Sequence, residues 1–148
     1  MAELNSPIKD IKPIKIEDSR PRLGEDIIIM GYGISHRCGS DLQYWCPSNV
    51  LMEATTPIQE NSVCLQSKWG IVNFHPKYNI CVGTLSGSRI NAGLGDSGSP
   101  GVQYVNGKYM LLGVVSRGGT TVDYDVPAPA AYILVPAFKE WINSIVTD

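Results

Sequence analysis

Apolar residues in this chain fall in short runs punctuated by glycine, proline and asparagine, the pattern of short strands between turns. Asp26-Ile27-Ile28-Ile29-Met30 is an apolar run closed by Gly31-Tyr32-Gly33, and it predicts a buried strand. Val102 to Val105, then Asn106-Gly107-Lys108, then Tyr109 to Ser116 predicts a β-hairpin, because Asn-Gly supplies the two positive φ angles of its turn. Ala131 to Val135 predicts a further strand. Between Cys38 and Val63 the pattern is irregular and predicts loops around one strand. A helix is expected at about 136–146, with Pro136 in its first turn. Phe138, Trp141, Ile142 and Ile145 follow i, i+3, i+4, i+7, so that face is expected in the core. There is no internal repeat and no linker. The expectation is one all-β sandwich or barrel with a C-terminal helix.

Composition narrows the function classes. The 148 residues carry a net charge of −2, and charged residues are only 18%. No basic run exists, so nucleic acid is not an expected partner. No apolar stretch approaches the roughly 20 residues that span a bilayer, so no membrane partner is expected either. The mixed-charge opening from Met1 to Arg20 does not read as a signal peptide. Cys38, Cys46, Cys64 and Cys81 form no C-x-x-C, and there are two histidines, so neither a metal nor another cofactor is expected. An even cysteine count in a glycine-rich chain points to disulfides and an oxidising compartment. Three pairings are open. Disulfides without an export signal fit the C-terminal part of a longer secreted precursor.

The candidate chemistry lies in Gly95-Asp96-Ser97-Gly98-Ser99-Pro100. Ser97 between glycines suits a nucleophile on a tight turn that a substrate can approach closely. The N–H groups of Gly95 and Ser97 can converge on the oxyanion of an acyl-transfer intermediate. Gly93 to Gly98 also spells G-x-G-x-x-G. That fingerprint requires a helix to follow, and Ser99-Pro100-Gly101 breaks one at once. The nucleotide reading is therefore set aside.

The hexapeptide resembles the G-D-S-G-G-P nucleophile motif of trypsin/chymotrypsin-like serine proteases, with Ser99 in place of the second glycine. Other pieces resemble that family in order: Leu4-Asn5-Ser6-Pro7, Gly31-Tyr32-Gly33, Val114-Val115-Ser116, Pro129-Ala130-Ala131-Tyr132 and Phe138 to Ile142. The resemblance covers the chain but only the later half of a full protease domain. It implies the second antiparallel Greek-key β-barrel of a chymotrypsin-like fold over residues 1–148. It implies Ser97 as nucleophile, Gly95 in the oxyanion hole, and Asp96 as structural partner of the α-amino group freed on zymogen cleavage. It implies Asn91 at the base of the specificity pocket, Ala130 on its wall, and Ser116, Arg117 and Gly118 along the substrate backbone. A neutral Asn91 removes the ionic preference for Lys or Arg that an aspartate there confers. The plain alternative for Arg117 is an exposed charge on a loop.

The resemblance also implies a Cys64–Cys81 bridge. Two other family bridges lose both partners, one at Gly93 and one near Ile27 and Gln103, which leaves Cys38 with Cys46. The general-base histidine and its aspartate fall before Met1 in this alignment, so the expected partner is a missing N-terminal barrel that carries both. His36 and His75 match no family catalytic position. The implied activity is serine endopeptidase hydrolysis of protein or peptide substrates in a complete protein, with the isolated chain inactive. The alternative is a non-catalytic pseudoprotease or protein-binding module.

Overall fold

The computed structural model describes residues 4–118 and 126–146. The described residues form nine strands: β1 (Lys15–Ile16), β2 (Asp26–Gly31), β3 (Ile34–Cys38), β4 (Tyr44–Pro47), β5 (Met52–Gln59), β6 (Asn79–Val82), β7 (Pro100–Val105), β8 (Lys108–Gly118) and β9 (Ala130–Leu134). Six of them close a fully antiparallel barrel in the cyclic order β2-β5-β6-β9-β8-β7, because β8 pairs with both β7 and β9. Closure leaves the sheet without a continuous open edge. Two three-strand meanders are joined by the crossover 83–99, which carries the chain from β6 to β7 beside β2. This is the Greek-key barrel expected above. β1 adds a short parallel pairing to β8 at Met110 and Leu111.

Strand parity builds the core. Ile27, Ile29, Ile80, Val82, Leu112 and Tyr132 pack inside the barrel. Alternate residues of β6 and β9 point outward and are covered too. Cys81 lies opposite Ala131, and with Cys64 and Phe74 they form a second buried layer. The short helix α1 (Asn61–Cys64) supplies Cys64, and the Cys64–Cys81 disulfide staples the segment between them onto the barrel, with a Cα–Cα distance of 5.7 Å. At the β7–β8 turn, Asn106 and Gly107 adopt φ of 50° and 78°, the positive values a two-residue hairpin needs.

Two expectations are corrected. The span between Cys38 and Val63 contains two strands, β4 and β5, rather than one. In β5 the inward position Thr56 is polar, so hydrophobic alternation is hidden; its hydroxyl is satisfied by donating to the Ile90 carbonyl at 2.7 Å. β4 belongs to a two-stranded hairpin with β3 outside the barrel, where no buried face imposes a period. That hairpin is closed by Cys38–Cys46 and by Arg37 stacked over the Trp45 ring at 4.5 Å.

The C-terminal helix is the second correction. Val135–Phe138 is a 3-10 turn, with Pro136 in its first turn, and α2 (Lys139–Ile145) follows. Trp141 is 53% exposed and Ile145 49%, so the expected apolar face is not core. Phe138 and Ile142 are half-buried, with the Phe138 ring 5.5 Å from that of Tyr78, so only the near part of the face is covered. Lys139 pairs with Asp18, which ties the helix to the N-terminal segment.

Tyr132 is the largest fully buried side chain among the described residues, and its hydroxyl donates to Asn91 Oδ1 at 3.3 Å. Burial pushes its phenol well above the usual tyrosine range, and the nearby Asp96 charge adds to the rise. A raised folded-state value means the stabilising contribution is complete at neutral pH. It declines once the unfolded chain begins to ionise above about pH 10. Urea midpoints are therefore expected to fall between about pH 8 and about pH 11, and Tyr132→Phe is expected to flatten part of that fall. The same variant should cost about 1 kcal/mol at neutral pH for the lost hydrogen bond. An unchanged pH profile in Tyr132→Phe would show that this phenol does not set the alkaline limit.

Candidate active site

The crossover 83–99 is anchored by one carboxylate. Asp96 Oδ1 accepts the Gly33 N–H at 2.7 Å and Oδ2 accepts the Gly93 N–H at 2.8 Å. Ile34 N–H donates to the Leu94 carbonyl at 2.8 Å, so the loop runs against the start of β3. The carboxylate rests on bare backbone. A Cβ on Gly31 would sit 2.0 Å from Asp96 Oδ1, and one on Gly33 2.5 Å from Asp96 Cγ. The Gly-Tyr-Gly sequence is thus required by close approach. A Cβ on Gly93 would meet the Ile34 carbonyl oxygen at 2.4 Å, so this backbone leaves no room for a side chain there.

Beyond Asp96 the loop turns back onto β8. Ser99 N–H donates to the Asp96 carbonyl at 2.9 Å, Gly98 N–H to the Val115 carbonyl at 2.9 Å, and Val115 N–H to the Ser99 carbonyl at 2.9 Å. Ser97 sits at the exposed apex between these two anchorages. Gly95 and Gly98 flank it with φ of 95° and 90°, a left-handed geometry that side chains disfavour. Neither the Gly95 nor the Ser97 N–H is a donor in the hydrogen bonds of the described residues.

The remaining candidates are dispersed around this loop. His36 is exposed on β3, with Nδ1 3.2 Å from Ser35 Oγ. The His75 N–H donates to Asn79 Oδ1 at 2.9 Å. Neither histidine bonds Ser97. Asn91 is half-buried, and its amide donates to the Ala128 carbonyl at 2.9 Å and the Val82 carbonyl at 3.2 Å, while Oδ1 accepts from Tyr132. Ala130 is buried among the barrel core residues. Ser116, Arg117 and Gly118 form the end of β8, and the loop after Gly118 lies outside the described residues. Arg117 is not an exposed loop charge. It is half-buried, and its guanidinium donates to the Val72 and Asn73 carbonyls at 2.9 and 2.8 Å.

A cleft of about 330 Å³ opens beside Asp96. Ile29, Ile34, Trp45, Met52 and Val115 give it apolar walls, Gly31 and Gly33 give it a backbone floor, and Glu53, Arg89 and Asn91 add charged and polar groups. Two residues that sequence reading missed organise the surroundings. Asn79, only 2% exposed, donates to the Tyr132 carbonyl at 3.4 Å and accepts from His75 and Arg117. Its signal was available: a lone polar residue heading the apolar run Ile80-Cys81-Val82. Arg20 donates to the Lys77 and Pro76 carbonyls and fastens the N-terminal segment to the turn before β6. Among the described residues no group of His, Cys, Asp and Glu side chains could hold a metal ion, and no helix is long and apolar enough to cross a membrane.

Comparison with known proteins identifies the family. The sequence profile of the family described as Trypsin matches residues 1–142. A curated relative, the snake venom serine protease BthaTL of Bothrops alternatus, is 28% identical over 152 residues. That alignment covers 99% of this chain and 58% of the relative, so the chain spans little more than half the relative's length.

The carboxylate seat yields a double-mutant prediction. Asp96→Ala leaves two partly buried N–H groups without their acceptor and is expected to cost about 2–4 kcal/mol in urea unfolding. Gly33→Ala is expected to cost about 2 kcal/mol or more, because its methyl overlaps the carboxylate. In the Asp96→Ala background Gly33→Ala should cost much less, since the clash partner is gone. Strict additivity of the two would show that the carboxylate does not occupy this seat.

Proposed function

The chain belongs to the trypsin family of serine proteases, and we propose that it is the nucleophile-bearing second barrel of a secreted serine endopeptidase. The observation that carries the reading is the Asp96 clasp. It fixes the crossover against Gly33 and Gly93 and leaves Ser97 exposed, with the Gly95 and Ser97 N–H groups uncommitted. In the proposed reaction Ser97 Oγ attacks the scissile carbonyl while a histidine takes its proton. The Gly95 and Ser97 N–H groups hold the oxyanion, and collapse of the tetrahedral intermediate passes the proton to the leaving amine. Water then attacks the acyl-enzyme, with the same histidine acting as base, and releases the acid. The histidine and its orienting aspartate are assigned to a preceding half-domain.

Several features support that partner. The cleft beside Asp96 sets apolar walls next to the Asp96 and Glu53 carboxylates, with Arg89 also on its lining, and the carboxylates suit the ammonium group of an apolar N-terminal residue. Leu4, Ile8 and Ile11 in the N-terminal segment, and Trp141 and Val146 at the C-terminal end, stand more than half exposed. These apolar side chains at both ends of the chain are available for burial against a second barrel. Two disulfides suit an oxidising compartment. At the proposed specificity pocket Asn91 is neutral, and its amide is spent on the Val82 and Ala128 carbonyls. That supports uncharged residues at the cleavage position.

A fluorophosphonate probe tests the reading. The chain alone should be labelled slowly. When complemented by a half-domain that carries the base, labelling should rise by about three orders of magnitude or more and vanish in Ser97→Ala. Rapid Ser97 labelling of the chain alone would overturn the division of labour, and no labelling after complementation would favour the binding-module alternative. Against a peptide library, the complemented domain should cleave after uncharged residues at least about tenfold faster than after Lys or Arg. The reverse preference would remove Asn91 from the pocket.

A further inference from the structure

Arg117 occupies a position where regular strand alternation would send its side chain into the barrel. Val115 faces Tyr132 in the core, and residues two apart on a strand share a face. The pairing instead shifts register: Val115 lies opposite Tyr132, and the next paired residue is Arg117, opposite Ala131. One extra residue, Ser116, reverses the parity of the strand and turns Arg117 outward. Ala131 belongs to the outer layer with Cys64, Phe74 and Cys81, so Arg117 stands over that layer.

Its guanidinium then acts as a clamp. It donates to the Val72 carbonyl at 2.9 Å, the Asn73 carbonyl at 2.8 Å, Asn79 Oδ1 at 3.2 Å and Ser116 Oγ at 2.9 Å. Asn79 is buried and bonded to the Tyr132 carbonyl, so the far side of the clamp is rigid. The near side is the end of β8. Pairing with β7 stops at Val114, while β9 continues to Gly118 along the opposite edge. One edge of Ser116 to Gly118 therefore carries no strand among the described residues.

We propose that Arg117 is a positioning residue for an extended peptide. Through the Ser116 bulge and the four hydrogen bonds it holds the open edge of β8 in strand geometry, while its own side chain is withdrawn onto the loop 72–79. The ligand is the peptide main chain that the family resemblance sets along Ser116 to Gly118, read by backbone hydrogen bonds, and the new element is the hold of Arg117 on that edge. An edge ordered in advance binds more tightly because less conformational entropy is lost on association. Lysine cannot replace this function, since one ammonium cannot span four acceptors laid out for a planar fork. The inference rests on the peptidase reading, which makes a peptide the ligand.

The test is a titration of the isotope-labelled chain with an acetylated, amidated alanine-rich hexapeptide, followed by amide chemical shifts. In the unmodified chain the Ser116 and Gly118 amides should shift. Arg117→Lys should weaken the peptide about fivefold and Arg117→Ala about tenfold or more. Both variants should also lose exchange protection from Asn73 to Asn79 with the Cys64–Cys81 bridge intact. If Arg117→Ala does not fold, the Lys variant decides. A merely structural arginine would lower the unfolding midpoint and leave peptide affinity unchanged; that result overturns the inference alone. A peptide that fails to perturb the edge of the unmodified chain overturns the peptide reading as well.

Discussion

One carboxylate on a bare backbone floor organises this molecule's surface chemistry. Asp96 reaches across from the crossover and takes an N–H from Gly33 and another from Gly93. The contact is possible only because two glycines leave the floor empty. It fixes a loop with little regular structure of its own, at the one place where the chain must pass from one meander to the other. The proposed nucleophile therefore inherits its position from the barrel's topology, through an interaction that spans 63 residues of sequence. Charge-assisted hydrogen bonds to main chain suit this task, being shorter and stronger than neutral ones.

A second layer outside the barrel does for the end of β8 what Asp96 does for the crossover. Cys81 and Ala131 point away from the core, and the stapled segment 64–81 covers them. This gives buried Asn79 a dry setting in which its amide must be satisfied, and Tyr132, His75 and Arg117 satisfy it. The two anchorages meet at Val115, whose N–H and carbonyl bond the Ser97 loop while the next residue forms the bulge.

Legibility from sequence followed the physics of each element. The β7–β8 hairpin was visible because the Asn106-Gly107 turn has a local signature, and β2 because three successive isoleucines have few other places to go. The nucleophile loop was visible as a motif. β5 was obscured because Thr56 puts a hydroxyl into the barrel wall, compensated by a carbonyl 34 residues away that no local window contains. The face of α2 was misread because periodicity reports amphipathicity and not what lies opposite. The roles of Asn79 and Arg117 depend on register, and a one-residue bulge is invisible to composition or period.

The β3–β4 hairpin has a consequence of another kind. The chain leaves the barrel after Gly33 and returns at Ser48, whose N–H bonds the Gly33 carbonyl at 3.1 Å, so entry and exit coincide. Between them the Cys38–Cys46 bridge seals the excursion on itself. Its tip from Gly39 to Tyr44 is exposed and contributes nothing to the core. Such a self-sealed appendage is a modular cassette. Its tip can lengthen, shorten or be exchanged for a foreign epitope while the barrel retains every strand pairing, which makes it the natural place for sequence drift and for grafting.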